Sequence, residues 1–265
     1  MHVDLAAYEA AKASIWERQG EGDTAIVAGD DPVVASHVPR SGPAVVRFGL
    51  HGAHNEGGSM DFAVSGDSLV GPDGTVIVNC SELPRDLPHD RRNALAAAAT
   101  ALAAGADANS VRAAIVGFAG LPHRVSLVGE TGGVRYYDDS KATAPHATLA
   151  ATSGFDRVVL VAGGRNKGLD LGELSAAQSV VAAVGIGEAA QEVVRCFPHR
   201  PNAVATSMRE AVDLAAGLAT PGDVVLLSPG CASFDWYSGY PERGDDFAAE
   251  VTRLIAQRGH DGDEG

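Results

Sequence analysis

Cysteine is scarce: Cys80, Cys196 and Cys231 are odd in number, widely spaced, and form no C-x-x-C pair. A disulfide framework is therefore not expected, and a reducing cytoplasm is the compartment that fits. Aromatics make up only 5% of the chain, while Ala and Gly are abundant, which favours helices packed closely on a sheet. Positive charge is in deficit, with 20 Lys and Arg against 34 Asp and Glu and a net charge of −14. A nucleic-acid backbone or an anionic membrane would want clustered cations, so neither is expected as the main partner. A local basic pocket for phosphate is still compatible. No apolar run reaches the ~18 residues of a membrane span. Met1-His2-Val3-Asp4 lacks the basic-then-apolar order of a signal peptide. Catalytic signatures are missing too: there is no H-E-x-x-H, no Cys–His cluster, no G-x-S-x-G and no P-loop G-x-x-x-x-G-K-[ST].

What is there is 265 residues, 45% of them hydrophobic. At about 150 residues per domain that is one large domain or two modest ones, with enough chain to bury a full core. Leu5 to Gln19 carries a helical apolar stripe. Short β-like runs follow at Thr24–Val27, Ala44–Phe48, Asp61–Val64, Ser68–Val70 and Thr75–Val78, separated by turn clusters. Asp61–Val78 reads as a hairpin pair. Helices are predicted at Arg92–Ala104 and Asn109–Phe118, the second capped by Asn109 or Ser110. After Gly120 the rhythm becomes strand–helix alternation, the mark of a mostly parallel sheet. Strands are predicted at Val134–Tyr137, Arg157–Val161, Ala182–Ile186, Ala203–Ala205 and Asp223–Leu227. Helices are predicted at Pro145–Thr152, Leu174–Val181, Glu188–Cys196, Met208–Leu218 and Asp245–Gln257, with a frayed tail after Arg258. Gly120-Leu121-Pro122 is the domain boundary on this reading.

Two features invite chemistry and are better read as structure. Gly185-Ile186-Gly187-Glu188-Ala189-Ala190 matches a dinucleotide fingerprint, but no acid follows about 20 residues on, so a tight strand-to-helix turn is expected. His51 and His54 sit in a Gly-rich loop without a third ligand. Three other stretches each follow a predicted strand, where α/β sheets bind ligands. Tyr137-Asp138-Asp139-Ser140-Lys141-Ala142-Thr143 can hold a ribose, a phosphate and a carboxylate, or else it is a capped helix start with Ser140 or Thr143 as N-cap. Gly163-Gly164-Arg165-Asn166-Lys167-Gly168 offers close backbone approach and positive charge. Leu226-Leu227-Ser228-Pro229-Gly230-Cys231-Ala232-Ser233-Phe234-Asp235 is followed by Tyr240 and Glu242-Arg243-Gly244, and its small residues Gly230, Cys231, Ala232 and Ser233 suit an anion-binding turn. Cys231 has no His–Asp partner set and reads as a small packed residue. Together the three loops predict one crevice for a phosphate- or carboxylate-bearing ligand.

The motifs Gly120-Leu121-Pro122-His123-Arg124, Asp139-Ser140-Lys141-Ala142-Thr143, Gly163-Gly164-x-x-Lys167, Leu227-Ser228-Pro229-x-Cys231-Ala232-Ser233-Phe234-Asp235 and Arg243-Gly244-x-x-Phe247 resemble the carboxy-terminal domain of the Mur ligases. Upstream, Tyr8-Glu9-Ala10-Ala11-Lys12, Asp30-Asp31 and His89-Asp90-x-x-Asn93-Ala94-Leu95 resemble the later part of the family's central ATP-binding domain. The resemblance implies an α/β chain in which residues 1–120 are an incomplete P-loop-type central domain and 121–265 a Rossmann-like, mostly parallel carboxy-terminal domain. It implies ligation of an amino acid to a carboxylate with ATP and Mg2+, through an acyl phosphate. The S-P-x-C-A-S-F-D run favours D-glutamate, to be added to UDP-N-acetylmuramoyl-L-alanine in cytoplasmic peptidoglycan precursor synthesis. Lys12 matches the family's carbamylated, metal-holding lysine. Asn93, Arg124 and Asp139 match adenine, base and ribose contacts, and Lys141 the phosphate contact. Thr143, Lys167, Ser233, Phe234 and Tyr240 fall where the family holds D-glutamate. The UDP-sugar domain and the P-loop are not among these residues, Ala28 replaces a usual Asn, and Asp90 stands where Asn is common. The expectation is therefore an amino-terminally truncated ligase, inactive alone. The alternatives are a non-catalytic subunit completed by a separately encoded amino-terminal half, or a relative using another amino acid.

Overall fold

Where apolar β-branched runs are bounded by Gly, Asp and Pro, they pair into two sheets. The computed structural model describes residues 5–50 and 60–263, so His51 and His54 lie outside the described residues. The chain divides into two compact units, Met1–Ala119 and Gly120–Gly265.

In the first unit, α1 (Leu5–Ala13) passes into a 3-10 turn at Ser14–Trp16. It stops short of the predicted Gln19. Ser14 Oγ donates to the Ala11 carbonyl at 2.8 Å, a local bond that competes with the helix ladder. The sheet runs β1 (Thr24–Ala28), β2 (Ala44–Gly49), β3 (Phe62–Ser65), β4 (Ser68–Val70) and β5 (Val76–Asn79) in that order. β1, β2 and β3 are parallel, whereas β4 pairs antiparallel with both β3 and β5. α2 (Pro32–Ser36) was not expected; the Asp31 carboxylate caps it and Pro32 opens it. α3 is Pro88–Ala103, beginning before the predicted Arg92 because Pro88 opens the helix and Asp90 accepts from the Leu87 amide. α4 (Ala108–Gly117) is capped by Asp107, not by Asn109 or Ser110, whose amides donate to it. Phe62, Leu69, Val78, Leu95, Ala98 and Val111 form this unit's core.

The second unit contains β6 (Ser126–Thr131), β7 (Val134–Asp138), α5 (Pro145–Thr152), β8 (Val158–Gly163), a 3-10 segment Leu171–Ala176 and β9 (Val180–Ile186). α6 (Ala190–Arg195), β10 (Asn202–Val204), α7 (Met208–Leu218), β11 (Val224–Leu227) and α8 (Tyr240–Asp263) complete it. Strand order is β10-β9-β8-β11-β7-β6, parallel except for the antiparallel edge strand β6. β8 and β11 are buried at every position, as central strands covered on both faces should be. On one face Val159, Val161, Val184 and Ile186 meet Ala211, Val212 and Ala215 of α7 and Phe247, Val251 and Leu254 of α8. Gly185 has the opposite parity, and a Cβ there would collide with the Ala190 backbone of α6. Its glycine is therefore a packing requirement of the strand-to-helix turn, as predicted.

Three sequence expectations give way here. No α-helix spans Leu174–Val181: the apolar Val180–Val181 already belong to β9, leaving room only for the 3-10 segment. β6 went unforeseen because an edge strand exposes half its side chains; it turns into β7 through Gly132 and Gly133, both at positive φ. α8 begins before Asp245 and remains helical past Arg258, since Phe247, Val251 and Leu254 anchor a continuous stripe. Among the described residues no helix is long and apolar enough to cross a membrane.

Candidate active site

β11 lies between β8 and β7, so the carboxyl ends of three parallel strands share one edge. α8 leaves β11 onto one face, whereas Thr148 of α5 reaches the Ser228 carbonyl at 3.1 Å and α5 lies beside the 3-10 segment that follows β8. Neighbouring strands whose connections part in this way leave a crevice at their carboxyl ends, where open α/β sheets bind ligands.

Backbone bonds lace the three loops together. The Asp139 amide donates to the Leu227 carbonyl at 2.7 Å, and Gly230 donates to Ala142 at 2.9 Å. Gly163 donates to Pro229 at 2.8 Å, while Arg165 and Ala232 exchange bonds of 2.8 and 3.2 Å. The capped-helix reading of the first loop is overturned. α5 is preceded by Ala144 with no side-chain cap, so neither Ser140 nor Thr143 serves there. Ser140 Oγ instead donates to the Tyr240 carbonyl at 2.8 Å and accepts from Arg243 Nε at 2.9 Å. Thr143 is exposed.

Two adjacent carboxylates take different roles. Asp138 Oδ2 pairs with His123 Nδ1 at 2.6 Å, and its Oδ1 accepts from the Ser140 amide at 2.8 Å. α8 approaches this pair so closely that a Cβ on Gly244 would collide with His123 Nδ1. Asp139 is buried and accepts from Ser228 Oγ at 2.7 Å. Burial pushes its carboxyl up to about 7, and neighbouring Asp138 adds to the rise; Ser228, the Val125 amide and the Arg124 charge pull the other way.

Cations line the crevice rim on aromatic faces. Lys141 Nζ lies 5.6 Å from the Tyr240 ring centroid, and Lys167 Nζ lies 4.9 Å from that of Phe234. Phe234 is 52% exposed, so its ring is a platform and not a core residue, whereas adjacent Ser233 is buried. The Arg124 side chain is exposed. The sheet thus brings together Arg124, Asp139, Lys141, Thr143, Lys167, Ser233, Phe234 and Tyr240 in one unit. Lys12, exposed at the end of α1 with its Nζ 5.4 Å from the Tyr8 ring, and Asn93, exposed on α3, belong to the other unit. The apparent dinucleotide turn has no room for a ligand: Asp235 Oδ2 fills the space beside Gly187 and accepts from the Glu188 amide at 2.9 Å.

Cys231 is buried, and burial pushes its thiol up to about 12. It carries no nucleophilic role. Iodoacetamide at pH 8 should leave Cys231 unmodified in the folded chain and alkylate it once urea is added, read by peptide mass spectrometry. Rapid native labelling would refute this.

The sequence placed Asp138, Ser228 and Arg243 only within candidate loops, and His123 only within a motif, with no individual role for any of them. For Arg243 a signal existed: with Phe247, Val251 and Leu254 it continues the buried stripe of α8, a position where a solvated arginine would not fit.

Residues 123–231 match the family model described as Mur ligase, glutamate ligase domain. The UDP-N-acetylmuramoylalanine–D-glutamate ligase of Frankia casuarinae is 41% identical over 264 residues, covering 94% of this chain and 54% of that protein. The enzyme of the same name from Methylococcus capsulatus is 40% identical, covering 96% of this chain and 55% of its own length. The chain therefore spans about half the length of the curated relatives it matches. Among solved structures, the UDP-N-acetylmuramate–alanine ligase of Thermotoga maritima superposes with a TM-score of 0.64 at 14% identity, over 95% of this chain and 56% of that one. FolC of E. coli, in complex with DHPP and ADP, gives a TM-score of 0.60 at 22% identity, over 96% and 57%. These two share the fold.

Proposed function

We propose, from the match of residues 123–231 to the family model described as Mur ligase, glutamate ligase domain, that this chain is the amino-acid-binding part of an ATP-dependent ligase adding D-glutamate to UDP-N-acetylmuramoyl-L-alanine. The observation that supports this most is the convergence of three loops at the β8-β11-β7 edge, bearing two aromatic-backed lysines beside a buried carboxyl. A dicarboxylate amino acid and a nucleotide both need that mixture of fixed cations, neutral donors and a flat apolar platform.

In this reading Lys167 meets a D-glutamate carboxylate, with Ser233, Phe234, Tyr240 and Thr143 around the rest of the amino acid. Arg124 and Asp139 meet the nucleotide's base and ribose, and Lys141 its phosphates. The γ-phosphoryl of ATP passes to the substrate carboxylate, ADP departs, and the D-glutamate amine attacks the acyl carbon. The C–O bond to phosphate then breaks, and the amine's proton is lost. The chain's own groups position and neutralise; they do not form a covalent intermediate. The described residues do not assemble a Mg2+ cage, since no three His, Cys, Asp or Glu side chains come together. In this reading Lys12 takes the family's carbamate position.

The 265 residues contain no P-loop, whose backbone and lysine would hold the ATP phosphates. The chain alone should therefore bind D-glutamate without releasing ADP, and an amino-terminal half supplied separately should restore turnover. Calorimetry tests the assignment directly. D-glutamate should bind more tightly than L-alanine or diaminopimelate, and Lys167→Ala should weaken it about tenfold or more, the loss of one charge-assisted contact. Equal affinity for the three amino acids would reject D-glutamate as the substrate.

A further inference from the structure

Arg243 is the largest side chain among the fully buried ones, at 1% exposure, and its donors are all directed at loops. Nε donates to Ser140 Oγ at 2.9 Å and Nη2 to the Ser140 carbonyl at 2.8 Å. Nη1 and Nη2 both donate to the Cys231 carbonyl at 3.2 Å. The loop after β8 passes nearby, where a Cβ added to Gly164 would lie 3.1 Å from Nη1. One planar group therefore bonds the loops after β7 and β11 at once. Ser140 Oγ donates onward to the Tyr240 carbonyl, three residues before Arg243 on α8, which closes a ring.

Every acceptor it contacts is neutral. Asp235 and Asp138 act on it only through their fields, and burial lowers its pKa to about 10, leaving it charged at neutral pH. A buried cation without a contacting carboxylate is an expensive way to stabilise a fold. Its return is geometric: a fork that fixes two carbonyls and a hydroxyl in one plane, which a lysine ammonium cannot reproduce. Lys141 directly follows Ser140, and Ser233 follows Cys231 by two residues, so the clasp joins the nucleotide side of the crevice to the amino-acid side.

We propose that Arg243 is a positioning residue that couples the two subsites, so that a nucleotide on the loop after β7 and an amino acid on the loops after β8 and β11 strengthen each other's binding through its guanidinium. This rests on the ligase reading above. Coupling of this kind is reciprocal and is measured as a ratio of affinities. The test is calorimetric titration of D-glutamate into the full chain with and without saturating ADP. In the unaltered chain ADP should tighten D-glutamate about tenfold, within the usual span of coupling between sites. In Arg243→Lys the ratio should fall to about one, and in Ser140→Ala, which removes a single hydroxyl and guards against misfolding of the first variant, to about three or less. A ratio kept at its original value in Ser140→Ala and in any folded Arg243→Lys overturns the proposal alone, as does binding of both ligands without coupling in the unaltered chain. Binding of neither ligand overturns the ligase reading, and the coupling with it.

Discussion

Replacing Gly163 by alanine is expected to destabilise the second unit far more than the same change at Gly168. Gly163 ends β8 at φ +122, and a Cβ there would collide with the Ile186 carbonyl oxygen and sit 3.1 Å from the Ile186 amide nitrogen. Those are backbone atoms of β9, which cannot rotate aside. Gly163 also pairs with Ile186 in the sheet and donates to Pro229 at 2.8 Å, so relief on one side breaks bonds on the other. The two central strands would have to part beside the crevice. Overpacking with forced backbone conformation should cost more than about 4 kcal/mol, a large share of the ~5–15 kcal/mol that holds a domain folded. Gly168 in the same loop is the control: its φ is +83 with nothing within 4 Å of a Cβ, so alanine there meets only conformational strain of about 1–2 kcal/mol. Urea denaturation followed by circular dichroism separates the two. Equal midpoints for Gly163→Ala and Gly168→Ala would show that the β8–β9 contact is not the constraint described here.

Asp139→Asn should remove a large pH dependence of stability from the acid-to-neutral range. The folded carboxyl sits at about 7 against an ordinary value of 3.8, because burial disfavours its charge. The folded state therefore holds a proton that the unfolded state releases between these values. Stability from this group is fully present below pH 3.8 and is lost as pH rises through 7. A gap of about three pH units corresponds to roughly 4 kcal/mol across that window. Asparagine keeps an acceptor for Ser228 Oγ but cannot ionise. The difference in unfolding free energy between the two chains should shift in favour of the variant as pH rises from 4 to 8. A difference that stays constant over this range would refute the raised carboxyl.

Much of the second unit was readable along the chain because its strands are continuous apolar runs and its helices keep a regular stripe. Met208–Leu218 and Pro145–Thr152 were recognisable to the residue, since Ser207 and Pro145 mark their starts. Reading failed where burial is one-sided or local bonds compete, as in edge strand β6 and in the 3-10 segment Leu171–Ala176. In the crevice, the residue types and their loops could be named in advance. What each polar group does there could not. Ser140 could be read as a helix cap and instead supports Arg243; Asp139, matched to a ribose contact, is buried against Ser228.

By itself the sequence determined the α/β rhythm, the three polar loops after strands, the small residues that let those loops approach one another, and the resemblance from which the proposed chemistry is drawn. Only the tertiary structure decided that β11 lies between β8 and β7, and hence which groups meet. Ser228 reaches Asp139 across 89 residues and Arg243 reaches Ser140 across 103. Periodicity reports local backbone geometry and which face is buried. The partner of a buried charge is set by strand order, which the fold settles by closing long loops to cover the sheet on both faces.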